Sequence, residues 1–272
     1  MKLDAALDLL AQNPEAPLDL AELGLLLARD EYPDLDVEAC LCELDGMAHE
    51  ASAYLRGDLK ARVEGLCRYL FHDMGFRGNT DYYDARNSYL NQVLERRTGI
   101  PISLSAVAIA VGARAGLPVV GVGLPGHFVA KAVLDGQQVL FDPFHGGRLL
   151  ERRDCENLVY QVTGQPFQAT PRHLDALPLG LIVTRMLNNL KGTYLRAKDF
   201  RRGIRVIERL RRLEPDNPLQ QRDLGVCLLQ GGQAGRAIDL LQAYLAAVPH
   251  ADDSATIRQM LTTARGQVAR WN

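Results

Sequence analysis

The sequence predicts an α+β fold, in which a helical N-terminal region leads into an antiparallel sheet domain and an all-α module follows. Three observations predict it. Over residues 3–74 apolar side chains recur at three- and four-residue steps, as at Leu20, Leu23 and Leu27, which is the spacing of one helix face. Between His127 and Phe144 two strand-like runs flank Asp135-Gly136, a strong two-residue hairpin signal. Beyond residue 180 equivalent residues return after 34 positions: Pro215 and Pro249, Leu190 and Leu224, Gly203 and Ala237, Leu210 and Tyr244.

Taken in order, helices are expected at 3–12, 18–29, 34–56 and 58–74, divided by Asn13-Pro14, Tyr32-Pro33 and Gly57-Asp58. Asp58 is the expected N-cap of the fourth, which ends near Phe71. Gly75–Ser88 has no period and reads as a loop. A short helix from Ser88 to Arg97 follows, with Gly99 as its expected C-terminal cap. Pro101 suits the first turn of the next helix, about 103–115, whose Ala106–Val111 run is apolar on nearly all sides and must be surrounded by protein. Leu117–Gly123 is β-branched and bounded by Gly and Pro, and is read as a buried strand.

The hairpin register follows from its turn. With Asp135 and Gly136 as the central residues, facing positions sum to 271, so His127 faces Phe144 and Val129 faces Asp142. Asp142 is then the diagonal neighbour of His127 on the same sheet face, at a Cα separation of roughly 7–8 Å, where an imidazole and a carboxylate can meet. A slip of one residue would turn Asp142 to the other face.

Residues 162–180 hold Gly164, Pro166, Pro171 and Pro178 and are the expected boundary between a domain over 1–165 and one over 181–272. In the second, the 34-residue period with small residues at the helix crossing is the tetratricopeptide pattern, fitted best by LGVCLLQGGQAGRAIDLLQAYLAAVP. The first copy is degenerate, with Lys191 where the second has Gly225. Two repeats are too few to bury their own faces, so residues 254–270 are expected to cap one end and the N-terminal domain to cover the other.

Composition narrows the function. The five cysteines (Cys40, Cys42, Cys67, Cys155, Cys227) form no paired metal spacing, and a reduced, cytoplasmic protein is expected. No stretch is long and apolar enough for a signal peptide or membrane span. The net charge of −2 conceals an asymmetry: residues 184–272 carry 15 Lys and Arg against 8 Asp and Glu, while the first 50 residues hold thirteen acids against Lys2 and Arg29. The basic run Arg196–Arg212 interleaves with helix-core Ile204, Ile207 and Leu210, so a solvated helix face is expected in place of a nucleic-acid site. His127, Asp142 and His145 are donor types that suit zinc or iron, but no helix-borne histidine pair accompanies them. No metal or cofactor is expected, and His145 is placed at the surface.

The motifs RNSYLNQVLERRTGIPISLS, GVGLPGHFVAK and DPFHGGRLL, followed by the repeats, resemble the bacterial SirB family of transglutaminase-like proteins. That resemblance implies a papain-type fold, with Cys at the N-terminus of a buried helix and then His and Asp on successive strands. His127 and Asp142 match the family's His and Asp. The Cys has no counterpart: ungapped counting places it near Pro101, and the nearest nucleophile is Ser103, which is either the helix N-cap, its oxygen taking a backbone N–H near the helix start, or a nucleophile. The leading expectation is a protein that binds a protein or peptide without catalysis. Its alternative is an acyl-transfer hydrolase of amides or esters using Ser103, His127 and Asp142. In the repeats Arg185, Asn188 and Arg222 are expected on a concave face, where the basic excess predicts an acidic or C-terminal peptide ligand.

Overall fold

The computed structural model describes residues 2–270, which divide into two compact units. The first comprises Pro14–Met186 with the start of the chain to Ala6, and the second Leu187 onward with Leu7–Asn13.

Helices α1 (Leu3–Gln12), α2 (Leu20–Ala28), α3 (Val37–Ser52) and α4 (Leu59–Cys67) begin the chain. Asp19, Asp36 and Asp58 each accept a backbone N–H of the first turn, which ends the extended chain and starts α2, α3 and α4. A π-helical turn, Arg68–Asp73, continues α4. The Gly75–Ser88 loop carries a two-residue strand, β1 (Arg77–Gly78), and a single 3-10 turn at Ala85–Asn87.

α5 (Leu90–Arg96) ends on Arg97, which adopts the left-handed conformation (φ 52°) expected of Gly99. Gly99 is used otherwise: β2 (Thr98–Gly99) pairs in parallel with β1 and draws the loop to the start of α6 (Pro101–Arg114). Arg97 is held in this conformation by an ion pair to Glu43 (2.9 Å) and by lying over the Phe76 ring (4.8 Å). α6 is buried almost throughout, from Pro101 to Ala108 and from Ala110 to Gly112, as its all-round apolar sequence requires.

The sheet is antiparallel, in the order β3 (Val119–Leu124), β4 (His127–Leu134), β5 (Gln137–Asp142), β6 (Arg148–Leu150). The β4–β5 ladder pairs Ala130 with Phe141 and Lys131 with Leu140, the register summing to 271. Asp135 (φ 48°) and Gly136 (φ 77°) both take positive φ, the geometry that a two-residue turn needs to match strand twist. α6 packs on β3 and β4, and α7 (Arg152–Thr163) covers the sheet through Cys155, Leu158 and Val159.

The segment that follows α7 is tied to this unit. Leu177 donates its N–H to the Gly121 carbonyl (2.8 Å), and the Lys131 ammonium donates to the Leu174 carbonyl (2.6 Å). The division between units falls inside α8 (Leu179–Arg196), after Met186.

In the second unit α9 (Phe200–Leu213), α10 (Pro218–Gln230), α11 (Ala234–Ala247) and α12 (Ser254–Ala269) pack in succession. Ile207, Leu224, Cys227, Leu241, Tyr244 and Leu261 form their shared core. Lys191, at the position equivalent to Gly225, turns its ammonium to Asp223 (2.8 Å) and Gln220 (3.1 Å), so the degenerate copy exchanges close helix packing for a polar tie. Arg212 pairs with Asp8 (2.9 Å) within this unit. Among the described residues no helix is long and apolar enough to cross a membrane.

Candidate functional site

The hairpin positions the two central groups. His127 opens β4 directly after the Pro125-Gly126 turn, where Gly126 takes φ 69°, and it pairs with Leu124 of β3. The Arg185 guanidinium fastens this turn: one nitrogen, Nη2, donates to the carbonyls of both Leu124 (3.0 Å) and His127 (2.8 Å), and the group lies over the Phe128 ring (5.4 Å). Gly123 permits that approach, since a Cβ there would stand 2.9 Å from Arg185 Nη1. Burial draws the Arg185 pKa below its ordinary value, against an opposing contribution from Tyr82.

Asp142 ends β5 and is fully buried. Its Oδ1 accepts the N–H of Phe144 (3.0 Å) and, more weakly, of His145 (3.4 Å), which starts a 3-10 turn over Pro143–His145 and aims Oδ2 at the imidazoles. Oδ2 lies 3.0 Å from His127 Nε2 and 2.7 Å from His145 Nδ1. A carboxylate only accepts, so each imidazole presents a proton on the facing nitrogen, which leaves Nδ1 of a neutral His127 as a free base. Burial alone would raise the Asp142 carboxyl; hydrogen bonds to His127 and His145, with their charge, outweigh it and hold the group below the usual carboxylate range. Phe144 stands edge-on to the His127 ring at 6.1 Å.

His145 has the surface position expected of it, and its contact with Asp142 is the feature that the expectation did not include. The spacing in Asp142-Pro143-Phe144-His145 could have indicated it, because an Asp that caps a one-turn helix meets the side chain three residues on.

Ser103 is not joined to this pair. Its hydroxyl is buried at the third position of α6, where it accepts the Ile100 N–H (3.0 Å) and donates to the Asn87 carbonyl (2.6 Å). Among the described residues the Ile100 carbonyl is its only other partner (3.1 Å), so its single proton is directed at backbone oxygen and not at His127. The three buried cysteines do not supply a thiolate either. Burial pushes the Cys67 thiol up to about 12 and those of Cys155 and Cys227 up to about 11. Cys67 nevertheless approaches the cluster's edge, since a Cβ on Gly147 would lie 2.6 Å from its sulfur.

The three residues expected to bind a partner separate. Arg185 belongs to the first unit and is committed to the hairpin. Asn188, half-buried on α8, already has a partner. Arg222 donates to Asp223 (2.9 Å) and Asp253 (3.0 Å) and lies over the Tyr244 ring (5.8 Å), joining α10 to the start of α12.

Residues 38–188 match the transglutaminase-like superfamily, and residues 190–262 match the tetratricopeptide repeat. A UPF0162 protein of Xylella fastidiosa is 36% identical over 259 residues, covering 92% of this chain and 91% of its own. One from Vibrio cholerae is 29% identical over 212 residues, covering 76% and 78%. Human F-box only protein 21 is 33% identical over 159 residues, which covers 54% of this chain and 24% of that protein.

Proposed function

The chain belongs to the transglutaminase-like superfamily, in the SirB-type group of UPF0162 proteins that carry tetratricopeptide repeats, and from this membership we propose that it binds a protein or peptide without turning it over. One observation supports this above the others. The histidine and aspartate of the frame are in hydrogen-bond contact, but no described hydroxyl or thiol is bonded to His127. A buried thiol with a pKa of about 12 holds only about one part in 10⁵ as thiolate at neutral pH, so Cys67 is no substitute nucleophile.

The tetratricopeptide helices supply a second reason, because stacked helix pairs present extended faces suited to peptides. The excess of Lys and Arg from residue 184 onward favours an acidic peptide over a basic one. Arg222 and Arg185 are set aside as its contacts, being engaged within their own units.

The alternative is an acyl-transfer hydrolase with His127 as base and Asp142 as its orienting partner. It is favoured by the His127–Asp142 contact and requires the Ser103 hydroxyl to leave Asn87 and reach the imidazole.

The test is a pair of measurements on wild type, Ser103→Ala and His127→Ala. Wild type is expected to take up no serine- or cysteine-directed acylating probe beyond the level of the two variants, and to retain acidic peptides from an immobilised peptide array. Labelling of wild type that both variants lose, at equal amounts of folded protein, establishes the hydrolase in place of the binding protein.

A further inference from the structure

We propose that His127, Asp142 and His145 form a binding site for one divalent first-row transition-metal ion, of the zinc or iron(II) class. This goes beyond the binding reading above and does not depend on it.

The donors converge. His127 Nε2, His145 Nδ1 and a carboxylate oxygen of Asp142 all lie within 4.8 Å of one another. Two imidazoles and one carboxylate are the donor set that suits zinc and non-haem iron(II), leaving further coordination positions for water or a ligand. The two imidazole–carboxylate separations, 3.0 and 2.7 Å, are near the edge of a coordination polyhedron with bonds of about 2.1 Å. Two nitrogens on one such ion stand at most about 4.2 Å apart, so a separation at the 4.8 Å bound closes by about 0.6 Å. His145 is the member free to make that adjustment. Its side chain is 51% exposed, while those of His127 and Asp142 are 4% and 1%.

The supporting contacts are those a metal centre uses. Asp142 Oδ1 is occupied by the N–H groups of Phe144 and His145, which leaves Oδ2 for the ion. The backbone of His127 is fixed by Arg185. His145 also lines a surface cavity of about 660 Å³ with Glu64, Cys67 and His72, which gives an ion a route from solvent. Binding requires the imidazole nitrogens that face Asp142 to give up their protons, to the other ring nitrogen where a ring is neutral and to solvent where it is charged, and the carboxylate exchanges two N–H donors for one cation.

The competing account is that the three side chains are a closed hydrogen-bonded set with no affinity for metal. Cobalt(II) distinguishes the two, as a spectroscopic probe for this class of ion. The full-length, metal-stripped protein is titrated with Co²⁺ and followed by visible absorption, with Zn²⁺ as competitor. The expected result is about one equivalent bound with ligand-field bands, no sulfur-to-cobalt charge-transfer band, and displacement by Zn²⁺. His145→Ala, an exposed-side-chain change, and Asp142→Asn, which keeps an Oδ1 acceptor for the turn, should each weaken binding at least about ten-fold. His72→Ala should leave it unchanged. Failure to bind one equivalent, unaltered affinity in a correctly folded His145→Ala protein, a thiolate band, or loss of binding in His72→Ala would each overturn the assignment.

Discussion

Two serines two residues apart on α6 should respond to the same substitution with opposite sign. Ser103 and Ser105 are both fully buried. The Ser103 hydroxyl links the Ile100 N–H to the Asn87 carbonyl, whereas the Ser105 hydroxyl has no hydrogen-bond partner among the described residues. Ser103→Ala leaves a buried donor and a buried acceptor unsatisfied, at about 1–3 kcal/mol each when no other partner is found. Alanine's higher helix propensity returns about 0.5 kcal/mol. A net loss of about 1.5–5.5 kcal/mol is therefore expected. Ser105→Ala removes an orphaned hydroxyl and gains the same propensity, so stability should rise by about 1 kcal/mol. Urea denaturation followed by far-UV circular dichroism gives both changes as shifts of midpoint at constant slope. Wild-type stability in Ser103→Ala, or a fall of about 1 kcal/mol or more in Ser105→Ala, would refute these hydrogen-bond assignments.

Arg185→Ala should cost about 2–4 kcal/mol, because two turn carbonyls and the Phe128 face lose their partner together, and Arg185→Lys should restore less than half, since an ammonium cannot lie flat on the ring; thermal melting of the three proteins checks the order. At acid pH, Asp84 should contribute to unfolding. Burial alone would raise its carboxyl, but hydrogen bonds from Arg86 and the charges of Arg96 and Arg86 hold it below the usual range. Its folded pKa being the lower, the stabilisation is present above the ordinary carboxylate pKa and is lost as pH falls through the folded value. Asp84→Asn should therefore flatten the fall in stability between about pH 5 and pH 3, as read from urea midpoints at successive pH values. A slope identical to that of wild type would show that Asp84 carries none of this dependence.

What the sequence determined by itself was whatever depends on neighbours along the chain. Asp58 caps α4 because an Asp before a helical run can reach the third N–H, and both residues are close in sequence. The β4–β5 register is equally local: Asp135-Gly136 accept the positive φ the turn demands, and every pair down to Ala130 and Phe141 follows from it, carrying His127 to Asp142. The 34-residue period predicted the helical repeats for the same reason. Tertiary structure decided what depends on distant partners. The Ser103 hydroxyl is taken by a carbonyl 16 residues away, brought there by the β1–β2 pairing, and nothing at Asn87 announces it. Arg185 is 58 residues from the His127 carbonyl it holds, so its place by period in a repeat helix could not reveal that it serves the hairpin instead. The 97 position shows the same division. Intrinsic preference assigns the left-handed cap to Gly99, but a salt bridge to Glu43 and stacking on Phe76 stabilise it at Arg97 and free Gly99 for the strand that shapes the start of α6.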